Sequence, residues 1–221
     1  MKILEVKSLA IPEVKVIRYG RFPDHRGYFT ETWRKSDFDT KPELDFFHGV
    51  QFGQSNESYS KVGTVRGLHL QVDPYMGKLL RTITGRMVDL AADVRPESPT
   101  FGKIIAYDMP AQPDRDWAEW IWVPVGFAHG NFFPEETIIE YYCTGQYNPQ
   151  GEVCVSALAE DLDWSLAEPH MSRLFDQVAR HSDLFTEKDR GGLSIEAWSK
   201  DPRSRLFAYG MNPHRQVSVS K

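Results

Sequence analysis

The sequence predicts an all-β chain, a sandwich or barrel of short strands with a small helical segment at its C-terminal end. Three observations predict it. Short runs rich in Val, Ile, Thr and aromatic residues recur as far as Leu166. Turn sequences bearing Gly and Pro separate them. A helical apolar period sets in only beyond that point.

In chain order the strand-like runs are VKVIRYGRF, GYFTETW, GTVRGLHLQ, KLLRTITG, RMVDLAADV, GKIIAYDM, EWIWVPV, TIIEYYCTG and EVCVSAL. Their β-branched and aromatic side chains suit a pleated, half-buried surface. The turns are carried by PDHRG, TG, RPESPTFG, PAQPDRD, PVG and YNPQG. There Gly permits positive φ and Pro removes a ladder donor. Residues 1–166 contain no linker and no low-complexity stretch. Met171, Leu174, Phe175 and Val178 then fall at i, i+3, i+4 and i+7, just after Pro169, which is the stripe of an amphipathic helix. Ser194 is placed to cap a second short helix from Ile195 to Trp198. The expectation is one domain over 1–221, with a barrel over 1–166 and a helical cover over 167–221. The last stretch, MNPHRQVSVSK, is polar and expected to fray.

Composition narrows the function. With 221 residues, 41% of them hydrophobic and 13% aromatic, the chain can bury a sizeable core without staples. The net charge is −5 and no basic run occurs, which argues against nucleic acid as partner. An anionic small molecule is still compatible if cations converge in one pocket. Cys143 and Cys154 sit in strand-like runs without CxxC spacing, so they read as inert buried thiols and not as zinc ligands. No apolar run approaches the roughly 18 residues of a membrane span, and MKILEVKSLAIPEV lacks the pattern of a secretory leader. No membrane and a cytoplasmic location are the expectations.

The densest polar cluster lies between Gln54 and Arg95. Strand-like segments there carry Gln54, Asn56, Ser58, Arg66, His69, Gln71, Lys78, Asp89 and Asp93. A barrel enclosing a ligand has such inward polar groups; a barrel filled by a core does not. Val65, Gly67, His69 and Gln71 share one face of a regular strand, as do Met87, Asp89, Ala91 and Asp93. Arg66 then points away from His69, unless Gly67 marks a bulge that rotates it back. His69 is either a buried histidine satisfied by a neighbour or a general base. A metal site of the HxH kind is missing its second ligand, since Gln71 stands there, and His129 sits alone in PVGFAHGN. Lys78 and Asp89 are either an inward ion pair or a cation for a developing oxyanion or phosphate, held by its carboxylate. Tyr141 and Tyr147 flank YYCTGQY, as core aromatics or as a proton donor opposite the histidine.

At these residues the chain resembles a known family, the dTDP-4-dehydrorhamnose 3,5-epimerases and their relatives acting on nucleotide 4-keto sugars. The resemblance runs in order from Phe22 to Trp164 through DHRGYFTE, GQSNESYS, VRGLHLQ, GKLLRTITGRMVDLAADVR, ESPTFG, VPVGFAHG, EYYCTGQYNP and LDW. It implies a cupin-type jelly-roll β-barrel, a homodimer, and chemistry with no metal and no cofactor. It implies His69 as base, Tyr141 as acid and Asp189, in TEKD, as the carboxylate paired with the base. It places Arg26, Phe29, Glu31, Gln54, Asn56, Arg66, Lys78, Asp89, His129 and Tyr147 around the substrate, some of the DxRG residues reaching across the dimer. The chain departs from the family at Met76, Asn131 and Ser165, where Gln, Phe and Pro are usual, and in a longer stretch between Trp164 and Asp189.

The implied chemistry needs no redox group. A ketone at sugar C4 acidifies the hydrogens on C3 and C5. Inversion takes a base on one face, an acid on the other and positive charge near the carbonyl oxygen. His69, Tyr141 and Lys78, the last held by Asp89, fit those parts, and Arg26 and Arg66 suit a diphosphate. A related enzyme that inverts one carbon, C3 or C5, or takes a GDP- or CDP-linked 4-keto sugar, a metal-dependent barrel enzyme and a sugar-nucleotide binder without turnover remain alternatives.

Overall fold

Alternating side chains and Gly/Pro turns fold into two facing antiparallel sheets in a computed structural model that describes residues 1–210. MNPHRQVSVSK, expected to fray, lies outside the described residues. The six-stranded sheet has the order β1 (Ile3–Ser8), β2 (Lys15–Gly20), β10 (Trp117–Val123), β7 (Lys78–Thr84), β12 (Thr137–Cys143) and β5 (Gln54–Ser60). The five-stranded sheet has the order β13 (Glu152–Cys154), β6 (Val65–Gln71), β11 (Phe127–Phe132), β8 (Arg86–Asp93) and β9 (Ile104–Pro110). A separate two-stranded ribbon pairs β3 (Phe22–Asp24) with β4 (Gly27–Phe29). This is the all-β class that the patterning predicts, in the jelly-roll-like form that the resemblance implies.

Three apolar layers hold it together. Met87, Ala91, Ile105, Leu80, Ile121 and Ile139 meet between the two sheets. Val88, Leu90 and Ala92, on the other side of β8, meet Met171, Phe175 and Trp198 of the C-terminal helices. Hence β8 is buried along almost its whole length, where a one-sided strand would alternate. Trp198 is fully buried and its indole N–H donates to the Val94 carbonyl at 2.7 Å. Burying a large apolar side chain of this kind contributes on the order of 2 kcal/mol.

The helix foreseen from the Met171 stripe forms as Pro169–Val178 (α2), with Met171 and Phe175 buried. Ser194 caps Ile195–Lys200 (α4) by accepting from the Ala197 N–H at 3.0 Å. Glu187–Arg190 forms a further short helix, α3, not foreseen in the sequence. Within the span expected to be barrel alone, Lys35–Thr40 (α1) and a 3-10 segment, Pro42–Phe47, add a third layer. Phe38, Leu44 and Phe47 cover Trp120 and Trp122 on the outer face of the six-stranded sheet. The run is too short and too charged to show a helical stripe, and the sequence pattern points to no helix there.

Candidate active site

The period of two sets the site. β5 contributes Gln54, Asn56 and Ser58, β7 Lys78 and Leu80, and β12 Ile139, Tyr141 and Cys143 to one cavity of about 710 Å³. The facing sheet adds Arg66 and His69 from β6 and His129 and Asn131 from β11. Tyr147 from the loop before β13, Glu152 from the start of β13, and Lys188 and Asp189 from the C-terminal segment close it. The volume suits a substantial small molecule.

On β6 the period breaks where the site needs it to. His69 pairs with His129 and Arg66 with Asn131, so Gly67 and Leu68 face Gly130 alone. This two-against-one bulge puts Arg66 and His69 on the same wall, although three positions of regular strand would part them. Gly67 has φ +110°, and a Cβ there would lie 2.6 Å from the His129 carbonyl oxygen, so no other residue fits.

His69 belongs to one sheet and Tyr141 to the other, and the cavity separates them. His69 Nε2 lies 2.7 Å from Asp189 Oδ1. The other oxygen of Asp189 accepts from the Gly67 N–H at 3.4 Å, and Thr186 Oγ1 accepts from the Asp189 N–H at 3.2 Å. Burial alone would raise the Asp189 carboxyl, but these bonds and the imidazole charge outweigh it and hold it below its ordinary range. His69 Nδ1 is 3.6 Å from Glu152 Oε1. Glu152 pairs with Lys188 and accepts from the Tyr147 hydroxyl at 3.2 Å. Burial is again opposed, by Lys188, His69 and Tyr147, and Glu152 stays a carboxylate.

Across the cavity, burial, with Cys143 adding and Arg66 opposing, raises the Tyr141 phenol, which therefore keeps its proton. Burial lowers the Lys78 ammonium, only partly offset by Cys143, Glu152 and Asp89. An ammonium so poorly solvated gains most from a new negative charge beside it. Gln54 accepts from the Tyr147 N–H at 2.8 Å and donates to Asn56 at 2.8 Å, joining β5 to the loop that carries Tyr147. Arg66 is aimed by Ser60 Oγ and the Tyr59 carbonyl, at 3.0 and 3.1 Å.

Four expected residues lie elsewhere. Asp89 does not hold Lys78: its Oδ2 takes His129 Nε2 at 2.7 Å and Asn131 Nδ2 at 2.9 Å, behind the cavity wall. Burial keeps His129 below its ordinary range despite that carboxylate, so its imidazole is neutral. The sequence showed two facing charges but not that β11, which pairs with β8, delivers a nearer partner. Arg26 sits at the tip of the β3–β4 ribbon, its side chain 78% exposed and paired with Asp24. Phe29 is 67% exposed on the same ribbon, and Glu31 meets Arg34 and the N-terminal amine. None of the three lines the cavity of its own chain. Glu152 and Lys188 were missed. Cross-strand pairing of Glu152 with Gln71 brings the carboxylate beside His69, and only the fold shows it.

Gln71, in the second position of the absent HxH pair, donates to the Pro74 and Gln146 carbonyls at 2.8 and 2.9 Å and accepts from the Asn148 N–H at 2.8 Å. Its amide is spent on the loop. Among the described residues, the group that could take a metal is His69, Cys154 and Asp189, whose donor atoms lie within 4.8 Å of one another. Burial and the adjacent Asp189 push the Cys154 thiol up to about 12, which suits an inert hydrogen donor at 3.8 Å from that carboxylate better than a thiolate ligand. Burial likewise raises the Cys143 thiol.

A histidine–carboxylate pair on one wall and a protonated phenol on the other define an isomerase that moves protons on a bound small molecule. The sequence profile of the dTDP-4-dehydrorhamnose 3,5-epimerases matches residues 8–197, and the chain belongs to that family. The dTDP-4-dehydrorhamnose 3,5-epimerase of Sinorhizobium fredii is 43% identical over 147 residues, 65% of this chain and 71% of that protein. The Pseudomonas aeruginosa enzyme of the same name is 33% identical over 195 residues, 87% of this chain and 96% of that protein. The crystal structure of a Legionella pneumophila dTDP-6-deoxy-D-glucose-3,5-epimerase, in complex with dTDP-4-keto-L-rhamnose, superposes with TM-score 0.75 at 26% identity, covering 92% of this chain and 97% of that one.

Proposed function

We propose that this epimerase inverts C3, C5 or both on a dTDP-linked 4-keto-6-deoxy sugar, by removing a proton on one face and returning one on the other. The observation that carries the reading is that His69 and Tyr141 face one cavity from opposite sheets. With Nε2–H donating to Asp189, Nδ1 of His69 holds the free lone pair and is the basic atom. It takes the proton α to the ketone. Lys78 steadies the enolate oxygen, Tyr141 protonates the carbon from the far side and recovers its proton from solvent, and His69 releases to solvent the proton it took. Glu152, 3.6 Å from Nδ1, offsets the imidazolium charge while it lasts. Arg66 and Lys188 suit the diphosphate.

The working form is a homodimer in this reading. Phe29 and Tyr28 stand 67% and 51% exposed on the Arg26 ribbon, an apolar tip that a monomer gains nothing by showing to water. Arg26 and Phe29 then complete a partner's cavity. Residues 1–210 contain no helix long and apolar enough to cross a membrane, and a cytoplasmic location fits a nucleotide-sugar substrate.

The test is incubation with dTDP-, GDP- and CDP-linked 4-keto-6-deoxy sugars in D₂O, with NMR of C3 and C5. Deuterium at one or both carbons of the dTDP sugar, lost in His69→Asn with dTDP binding kept, is expected. Full label incorporation by that variant removes His69 from the role of base. Binding without any exchange in the parent protein leaves a sugar-nucleotide binder.

A further inference from the structure

Asp189 reaches His69 from α3, a helix of four residues. A helix this short does not hold itself, because nucleation costs more than its few hydrogen bonds contribute. After Asp189 the chain is tied: the Arg190 carbonyl accepts from Ser156 Oγ at 2.9 Å, and Leu193 exchanges backbone hydrogen bonds with Cys154 and Ser156. Before Asp189, residues 180–186 run from α2 to α3 along the rim of the cavity. There the backbone meets β6 through a long hydrogen bond, Val65 N–H to the Leu184 carbonyl at 3.4 Å, beside the buried Phe185 ring.

Arg190 closes this stretch. Its Nε donates to the Phe185 carbonyl at 3.2 Å, one Nη to the Arg180 carbonyl at 3.2 Å and the other to the Ser182 carbonyl. The guanidinium also stacks on the Phe185 ring, 4.9 Å from its centroid. One side chain thus satisfies three carbonyls of the segment that leads into its own helix. A planar fork with five donors can do this; a single ammonium cannot span the same three acceptors. We infer that Arg190 is a positioning residue, which clasps residues 180–185 against α3 and so holds Asp189 on His69. This rests on the reading of His69 and Asp189 as base and partner.

The test measures kcat, KM and the pH profile of kcat/KM for Arg190→Ala, Arg190→Lys, Asp189→Asn and the double variant Asp189→Asn/Arg190→Ala, on a dTDP-linked 4-keto-6-deoxy sugar. Near-UV circular dichroism checks each fold. Arg190→Ala should lower kcat about tenfold, the cost of a base displaced by a fraction of an ångström, with KM changed less than about threefold. The acid limb of its kcat/KM profile should move to lower pH, as an imidazole does when it loses its carboxylate. In the double variant, Arg190→Ala should add nothing to the loss from Asp189→Asn. Multiplied losses, a change in KM alone or an unmoved acid limb overturn the inference. Should Arg190→Ala not fold, Arg190→Lys, which keeps charge and stem, decides by the same three readouts. An impaired Asp189→Asn beside unimpaired Arg190 variants overturns the inference alone; wild-type activity in Asp189→Asn overturns the base–partner reading and this inference with it.

Discussion

Asp189 Oδ1 stands 2.7 Å from His69 Nε2 across 120 positions of sequence. The pair decides which imidazole nitrogen is free, since a carboxylate on Nε2 selects the tautomer with its proton there. It also favours the imidazolium formed when the base takes its proton. Asp189→Asn, which can present the wrong hydrogen-bond polarity to the ring, should lower kcat by about 10² or more while KM for the sugar nucleotide moves little. The sign of the pH effect follows from the direction of the carboxyl. Asp189 lies below its ordinary value of 3.8 in the folded state. Its contribution to stability is therefore full above that value and fades as pH falls through the lower, folded value. Activity of Asp189→Asn equal to the parent enzyme would remove the pair from the mechanism.

Tyr141 has the opposite bias, toward holding its proton. In the proposed mechanism, replacing it with Phe leaves the base intact and removes the donor on the far face. Tyr141→Phe should still exchange the acidic hydrogen with D₂O through His69, with retention of configuration, while inversion falls by about 10²–10⁴-fold. NMR of label against configuration at C3 and C5 separates the two. Undiminished inversion would pass the acid role to another group; the Tyr147 hydroxyl lines the same cavity but already donates to Glu152.

Lys78 faces the cavity with its ammonium lowered by burial and with no carboxylate bonded to it among the described residues. A group so arranged is ready for charge that develops only during reaction. Lys78→Met, similar in length and apolar, should cost about 10²–10³ in kcat, the magnitude of one lost oxyanion donor. If KM rises and kcat holds, Lys78 binds the ground state and does no more.

How much of this was legible depends on the range of each interaction. The dense polar run from Gln54 to Arg95 pointed to Asn56, His69 and Lys78 as inward groups. Alternation set His69 on one face with Val65, Gly67 and Gln71, because side-chain direction is local. Tyr141 reads as a core aromatic from its strand alone, and only the resemblance made it the acid. The strand pattern even hinted at the Gly67 bulge, since a glycine inside a strand is a local signal too. Arg66 joined His69 only through that bulge. Glu152 and Lys188 reach the site from the start of the three-residue strand β13 and from a four-residue helix, and no period in the sequence points at either. Asp89 was misread for a related reason. Its true partners, His129 and Asn131, lie on β11, and pairing order is a property of the sheet, not of the segment. Arg26, Phe29 and Glu31 carry a resemblance, but on a single chain they stand outside the cavity, one at the ribbon's tip and one held by the N-terminal amine.

Asp93 tests the scaffold and not the chemistry. It is fully buried, and four side-chain bonds converge on it: Arg95 Nε at 2.9 Å and Nη at 2.8 Å, Ser98 Oγ and Thr100 Oγ1 each at 2.6 Å. The DVRPESPT run thereby folds into a closed corner between β8 and β9. Burial would raise the carboxyl, but Arg95, Ser98 and Thr100 together bring it below its ordinary value of 3.8. A lowered carboxyl stabilises the fold above the unfolded value and loses that contribution as pH falls through the folded one. Asp93→Asn leaves Arg95 without its buried partner and should cost about 3 kcal/mol at pH 7. Urea unfolding of both proteins from pH 7 downward should show this gap constant above about pH 5 and narrowing below it, as the parent's own carboxyl becomes protonated. A gap that persists unchanged into acid would mean that the corner is held by packing around Arg95, over Phe127 and Tyr209, and not by the charge of Asp93.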